Sequence, residues 1–174
     1  MLLDFFRNSA LRKMSSKEPT SIIPMEKVNS AVALIDVEDT SFDDCKMSLM
    51  SFFRSHGIKG EIFFFDFRKI SSGERLITSI TNTILKRDLN WYGRPSAEKL
   101  NILDTINPDL FISLIDDDSF TLEFTVKYCK ARFKIGRRQL PGDVFDLVIT
   151  DPSDRKLSEY ESFEAIKTFI NKIK

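Results

Sequence analysis

Two uninterrupted apolar runs constrain this chain most: AVALID (Ala31 to Asp36) and EIFFFDF (Glu61 to Phe67), set one helix apart. A strand with one wet face alternates apolar and polar residues. A run without alternation belongs to a strand buried on both sides, as in parallel sheets covered by helices. Between the runs, Cys45, Leu49, Phe52 and Phe53 recur at helical spacing, with Ser41 and Asp44 placed as a capping box and Gly57 placed as a stop. This predicts a helix ending near Ser55, and a crossover long enough for the two strands to pair in parallel.

The same grammar continues downstream. Ser96 opens a helix with Ala97, Leu100, Leu103 and Ile106 on one stripe, Asn107-Pro108 stops it, and DLFISLI (Asp109 to Ile115) is the third strand. From Ser119 to Ile135 two periods compete. Phe120, Leu122, Phe124, Val126 and Tyr128 alternate like a strand, whereas Phe120, Phe124, Tyr128 and Ala131 make a helical stripe. So long a strand is rare, and a parallel return from Ile115 needs a crossover, so a helix over 119–130 and a strand over 132–137 are predicted. VFDLVI (Val144 to Ile149) is the last strand. Its link to the strand before it holds the turn Pro141-Gly142-Asp143 and no room for a crossover helix, so the two are expected to be antiparallel if adjacent, and otherwise apart.

The closing helix carries a capping box, Ser158 with Glu161, and a buried stripe of Phe163, Ile166, Phe169, Ile170 and Ile173, with Lys172 and Lys174 at its C-terminal end. Residues 71–90 fit both periods; a short helix from Ser72 and a short strand over Thr83 to Lys86 are predicted. The expected fold is therefore α/β: three layers, a mostly parallel sheet of five or six strands with helices on both faces, Rossmann-like, forming a single domain over 31–174. Residues 1–30 are an arm and linker, of which the first thirteen can form a short amphipathic helix. A docked or frayed arm is the favoured reading there, with a membrane or partner helix as the other.

Charge excludes some functions. The chain has 26 basic and 26 acidic residues, where a dedicated nucleic-acid binder concentrates cations. Its two cysteines, Cys45 and Cys129, lie inside apolar periodic segments and read as buried thiols of a reducing compartment. Asp4 and Arg7 break up Leu2-Leu3 and Phe5-Phe6, so no signal-peptide core forms, and no run of about 18 uncharged apolar residues exists to span a membrane. The expected location is the cytoplasm.

Three constellations are candidates for chemistry. Ligands of open parallel sheets collect beyond the carboxyl ends of the strands, where this chain places Asp36, Glu38 and Asp39, then Asp66 and Arg68, then Asp116 to Asp118, then Thr150 and Asp151. Asp36, Asp66 and Asp116 are the candidate ligands of a Mg²⁺ ion; the competing role for such residues is capping and turn formation. Lys127, Lys130, Arg132, Lys134, Arg137 and Arg138 form the densest basic cluster, either an anion or partner surface or the lysine guard of an edge strand. The loop Trp91-Tyr92-Gly93-Arg94-Pro95 gathers the residue types that dominate contact surfaces, or else folds back to plug the core.

His56 stands alone at a helix end, and no glycine-rich phosphate loop occurs, so neither a zinc site nor a nucleotide cofactor is supported. No cofactor is expected. The leading expectation is a non-enzymatic interaction or ligand-binding module that meets an unidentified protein or a small anionic ligand through Trp91, Tyr92, Arg94, Lys134, Arg137 and Arg138. The alternative is a small Mg²⁺- or phosphate-dependent enzyme built on the acidic strand ends.

Two resemblances bear on this. The stretch from Asn107 to Arg138, with its D-L strand, helix and K-I-G strand, resembles the end of the N-terminal half of heptosyltransferase-like GT-B glycosyltransferases. The donor site of that family lies in a second domain, so the resemblance implies fold and transfers no activity or residue. More broadly, D-L-N-W-Y-G-R-P (Asp88 to Pro95), K-A-R-F-K-I-G-R (Lys130 to Arg137) and a basic N-terminal arm resemble a family of short bacterial proteins with a domain of unknown function. That likeness covers roughly residues 1–173 and implies the same fold in a bacterial cytosolic setting.

Overall fold

A computed structural model describes residues 1–14, 21–69 and 75–173. Helix α1 (Leu2–Arg12) precedes the sheet. The two double-sided runs become β1 (Ser30–Asp36) and β2 (Lys59–Asp66), parallel and joined by α2 (Phe42–Ser55), which ends where Gly57 takes a positive φ of 64°. β3 (Thr83–Leu85) pairs with β2, and α3 (Ala97–Ile106) leads to β4 (Leu110–Ser113) on the other side of β1. α4 (Phe120–Tyr128) leads to β5 (Phe133–Gly136), followed by β6 (Leu147–Val148) and α5 (Glu159–Ile170).

The result is one six-stranded, all-parallel sheet in the order β3-β2-β1-β4-β5-β6. This is the doubly wound Rossmann order. The chain winds outward from β1, then reverses, so that β1 and β4 flank the switch point where such folds bind ligands.

Strand periodicity divides the core. Ala31, Ala33 and Ile35 face α2 and α5, packing with Leu49, Phe52, Phe163 and Ile166. Val32 and Leu34 face the layer of α3 and α4, packing with Leu103, Leu122 and Val126. α1 lies outside that second layer, where Ala10, Leu11 and Met14 cover Leu100, Phe120 and Phe124.

Several expectations need correction. β5 and β6 are neighbours and parallel, not antiparallel. Residues 137–146 make the crossover without a helix: Gly142 and Asp143 turn at positive φ, and Leu140, Val144 and Phe145 are buried against Val126 and its layer. The buried loop does what a helix does elsewhere in the fold. It also removes Val144 and Phe145 from the predicted last strand, which shrinks to Leu147 and Val148.

Ser41 makes no capping bond to α2; its hydroxyl donates to Asp39 and accepts the Tyr160 N–H instead. Phe169 is half exposed rather than part of the α5 stripe. The helix expected from Ser72 starts outside the described residues, and 75–79 is not helical; a single 3₁₀ turn, Ile80–Asn82, precedes β3.

Candidate functional site

At the switch point the chain meets itself. α5 begins above β1, and both carboxylate oxygens of Glu159 accept the Asp36 N–H, at 2.9 and 3.2 Å. Asp39 returns the contact by accepting the Glu159 N–H at 3.4 Å. Glu159 is 2% exposed. Burial drives its carboxyl up to about 9, against the Asp36 N–H and with the help of the Asp39 and Asp36 charges, so it holds its proton at neutral pH. Burial raises Asp36 as well, opposed by the Glu38 N–H and reinforced by Glu38, Asp39 and Asp66. A cavity of about 600 Å³ opens beside this contact, between Glu38, Asp39, Ser41, Lys156 and Ser158.

Arg137 seals the same end of the sheet. It forks onto Asp151 at 3.1 and 2.8 Å, donates to the Leu114 carbonyl at 3.2 Å, and donates to the Leu157 carbonyl. Burial raises the Asp151 carboxyl, but Arg137 and the Leu157 N–H outweigh it and hold the group below its ordinary range.

The other predicted strand-end acids are also engaged. Asp66 is buried and paired with Arg68 at 2.8 Å, whose hydrogen bond lowers its carboxyl. Asp116 pairs with Arg138 at 3.0 Å and with Lys156 at 3.5 Å. Among the described residues no group of three or more His, Cys, Asp or Glu side chains is arranged to hold a metal ion, so Asp36, Asp66 and Asp116 do not converge as one.

The basic cluster is divided: Lys134 and Arg137 are buried, while Lys130, Arg132 and Arg138 stay exposed. β5 lies inside the sheet, not at its edge, so no lysine guard is needed there. Lys134 is buried, donates to the Val126 carbonyl at 2.7 Å, and is lowered by that burial. Arg137 is spent at the switch point, Arg138 bridges Asp116 and Asp118, Lys127 pairs with Glu123, and Arg132 with Asp109.

The loop of Trp91, Tyr92 and Arg94 is built differently. Asn90 Oδ1 accepts the N–H groups of Tyr92 and Arg94, Leu89 bridges to Pro95, and Gly93 turns at a φ of 95° with its carbonyl accepting from Thr121 of α4. A rigid turn results, and α1 docks on it. Arg7 Nε donates to the Tyr92 carbonyl at 2.9 Å, and its guanidinium lies 5.2 Å from the Phe120 ring. Arg94 lies over Phe124 at 5.5 Å.

The rings form a continuous series. Phe6 meets Trp91 at 5.1 Å and stacks on Tyr92 at 6.0 Å, Tyr92 meets Phe120 at 5.9 Å, and Phe5 meets Phe6 at 5.7 Å. Its inner end is core. At its outer end Leu2 and Phe5 are each 67% exposed and Trp91 is 63% exposed. Tyr92 thus plugs inward, as one reading of the loop had it, while Trp91 stays outside.

Reading residues one segment at a time missed Phe5, Phe6 and Arg7 as partners of this loop, and Glu159 as the filler of the switch point. The available signal for the former was two apolar pairs at helical spacing that no core position could absorb.

A family model described as a family of unknown function, DUF6913, matches residues 3–173. No curated protein and no solved structure matches the chain significantly.

Proposed function

The chain belongs to DUF6913, a family of unknown function, and from its own geometry we propose that it is a non-enzymatic interaction module of the cytoplasm. Its contact surface is the aromatic ledge of Leu2, Phe5, Phe6 and Trp91. The observation that carries this reading is the exposure of Leu2, Phe5 and Trp91 on a hydrogen-bonded, ring-stacked base. Apolar rings held rigid in water are the kind of surface that binding uses, because little conformational entropy is left to lose on contact. Two thiols buried in the core, Cys45 and Cys129, suit a reducing compartment. At the sheet end Glu159, Arg137 and Asp151 are hydrogen-bonded within the chain, which favours the ledge over the crevice as the contact site.

The test compares the full chain with a Phe5→Ser, Trp91→Ala double variant, and with Met47→Ala as a control on a different exposed helix. Binding to the soluble and membrane fractions of a lysate is measured separately. The double variant is expected to lose binding while keeping its melting temperature, and Met47→Ala to keep both. Undiminished binding by the double variant would place the contact elsewhere.

A further inference from the structure

We infer that the occupant of the ledge is an anionic lipid surface; the inference rests on the ledge being the contact site. α1 has two apolar sides. Leu3, Ala10, Leu11 and Met14, with Arg7, share the face turned to the protein and account for its docking. Leu2 and Phe5 lie on the opposite face with Arg12 and Lys13, all four exposed. An exposed helix face that carries apolar and basic side chains together is suited to a bilayer interface, the apolar groups entering it and the cations meeting its headgroups. Trp91 extends the apolar strip from the neighbouring loop, and tryptophan is a residue that settles at the headgroup level.

Charge points the same way. Residues 1–14 carry Arg7, Arg12 and Lys13 against Asp4, and residues 86–95 carry Lys86, Arg87 and Arg94 against Asp88, in a chain whose total is 26 against 26. Arg7 and Arg94 are held against Phe120 and Phe124, while Arg12, Lys13, Lys86 and Arg87 are exposed on the two segments that carry the ledge, where they complement anionic headgroups.

Trp91 is the only tryptophan in the chain, so its fluorescence reports on the ledge directly. The full chain is titrated with vesicles of phosphatidylglycerol and phosphatidylcholine in equal parts, with pure phosphatidylcholine vesicles, with a lipid-free soluble protein fraction, and with itself by concentration. The expected result is a shift to shorter wavelength and co-sedimentation with the mixed vesicles only, weakened by salt and lost in Phe5→Ser and Lys13→Glu. An equal shift on pure phosphatidylcholine overturns the charge complementarity. A shift only with the protein fraction or with concentration overturns the lipid occupant and leaves the ledge as a protein contact. Emission unchanged in every arm overturns both.

Discussion

The crevice over β1 and β4 and the ledge on α1 are both candidate sites, but they are finished in opposite ways. In the crevice the groups a ligand would use are turned on one another: the Asp36 N–H on Glu159, Arg137 on Asp151 and two carbonyls, the Glu159 N–H on Asp39. On the ledge the rings continue past what packing uses, from buried Phe120 through Tyr92 and Phe6 to Phe5 and Trp91 in solvent. Topology says where a doubly wound sheet offers space; side chains decide whether the space is offered. Here the chain engages the polar groups at the place its topology favours and leaves apolar rings exposed at one that topology does not mark.

The closed character of the crevice can be broken most severely at Arg137. Arg137→Met strands the partly buried Asp151 carboxylate and two carbonyls, and is expected to cost about 3–5 kcal/mol in denaturant unfolding. Adding Asp151→Leu should restore much of that loss, since a buried pair replaced whole by apolar groups is far less costly than a pair broken. A loss under about 1 kcal/mol for the single variant would mean the crevice is held by something else.

Glu159 gives the next effect, and its sign is fixed by the proton. The folded state keeps a proton that the unfolded chain releases from pH 4.5 upward, until the folded group also ionises at about 9. Its stabilising contribution is therefore full below pH 4.5 and lost as pH rises to about 9, by at most about 1.4 kcal/mol per unit. Asp36, also raised, adds in the same direction, while the lowered Asp66 and Asp151 contribute stability that is lost in acid, as pH falls through their depressed values. Glu159→Gln should flatten the alkaline limb and unfold later than the wild type at pH 8 while differing little at pH 5. Parallel limbs in the two proteins would show that Glu159 is not the titrating group.

Most of the sheet was legible because strand burial on both faces leaves a mark that needs no knowledge of neighbours: AVALID and EIFFFDF name β1 and β2 outright. The helix over Phe120–Tyr128 was legible only through topology, as the need for a crossover outweighed an alternating pattern. What failed was set by tertiary contact. The 137–146 crossover hides its apolar residues under α4, so its sequence looks like a turn and a strand. Lys134 and Arg137 look like surface cations because nothing local says that Val126, Asp151 and Leu157 will meet them. Ser41 has the spacing of a cap, yet Asp39 and Tyr160 claim its hydroxyl. On the ledge, Trp91, Tyr92 and Arg94 stood out by residue type, while their partners in α1 lie some eighty positions away along the chain, as in the Arg7–Tyr92 bond.

The boundary between core and surface on the ledge can be placed by two neighbouring residues. Tyr92 stacks on Phe6, abuts Phe120 and seats α1, so Tyr92→Ala is expected to cost roughly 1–2 kcal/mol and to loosen α1, read as faster amide exchange over residues 2–12. Trp91 touches Phe6 and Tyr92 by ring edges and leaves most of its surface in water. Trp91→Ala should therefore change stability by no more than about 0.5 kcal/mol. That small number decides the comparison. A residue with so much apolar surface and so little effect on folding contributes to something other than the fold, whereas a loss as large as that of Tyr92 would make Trp91 the last ring of the core and return the ledge to packing.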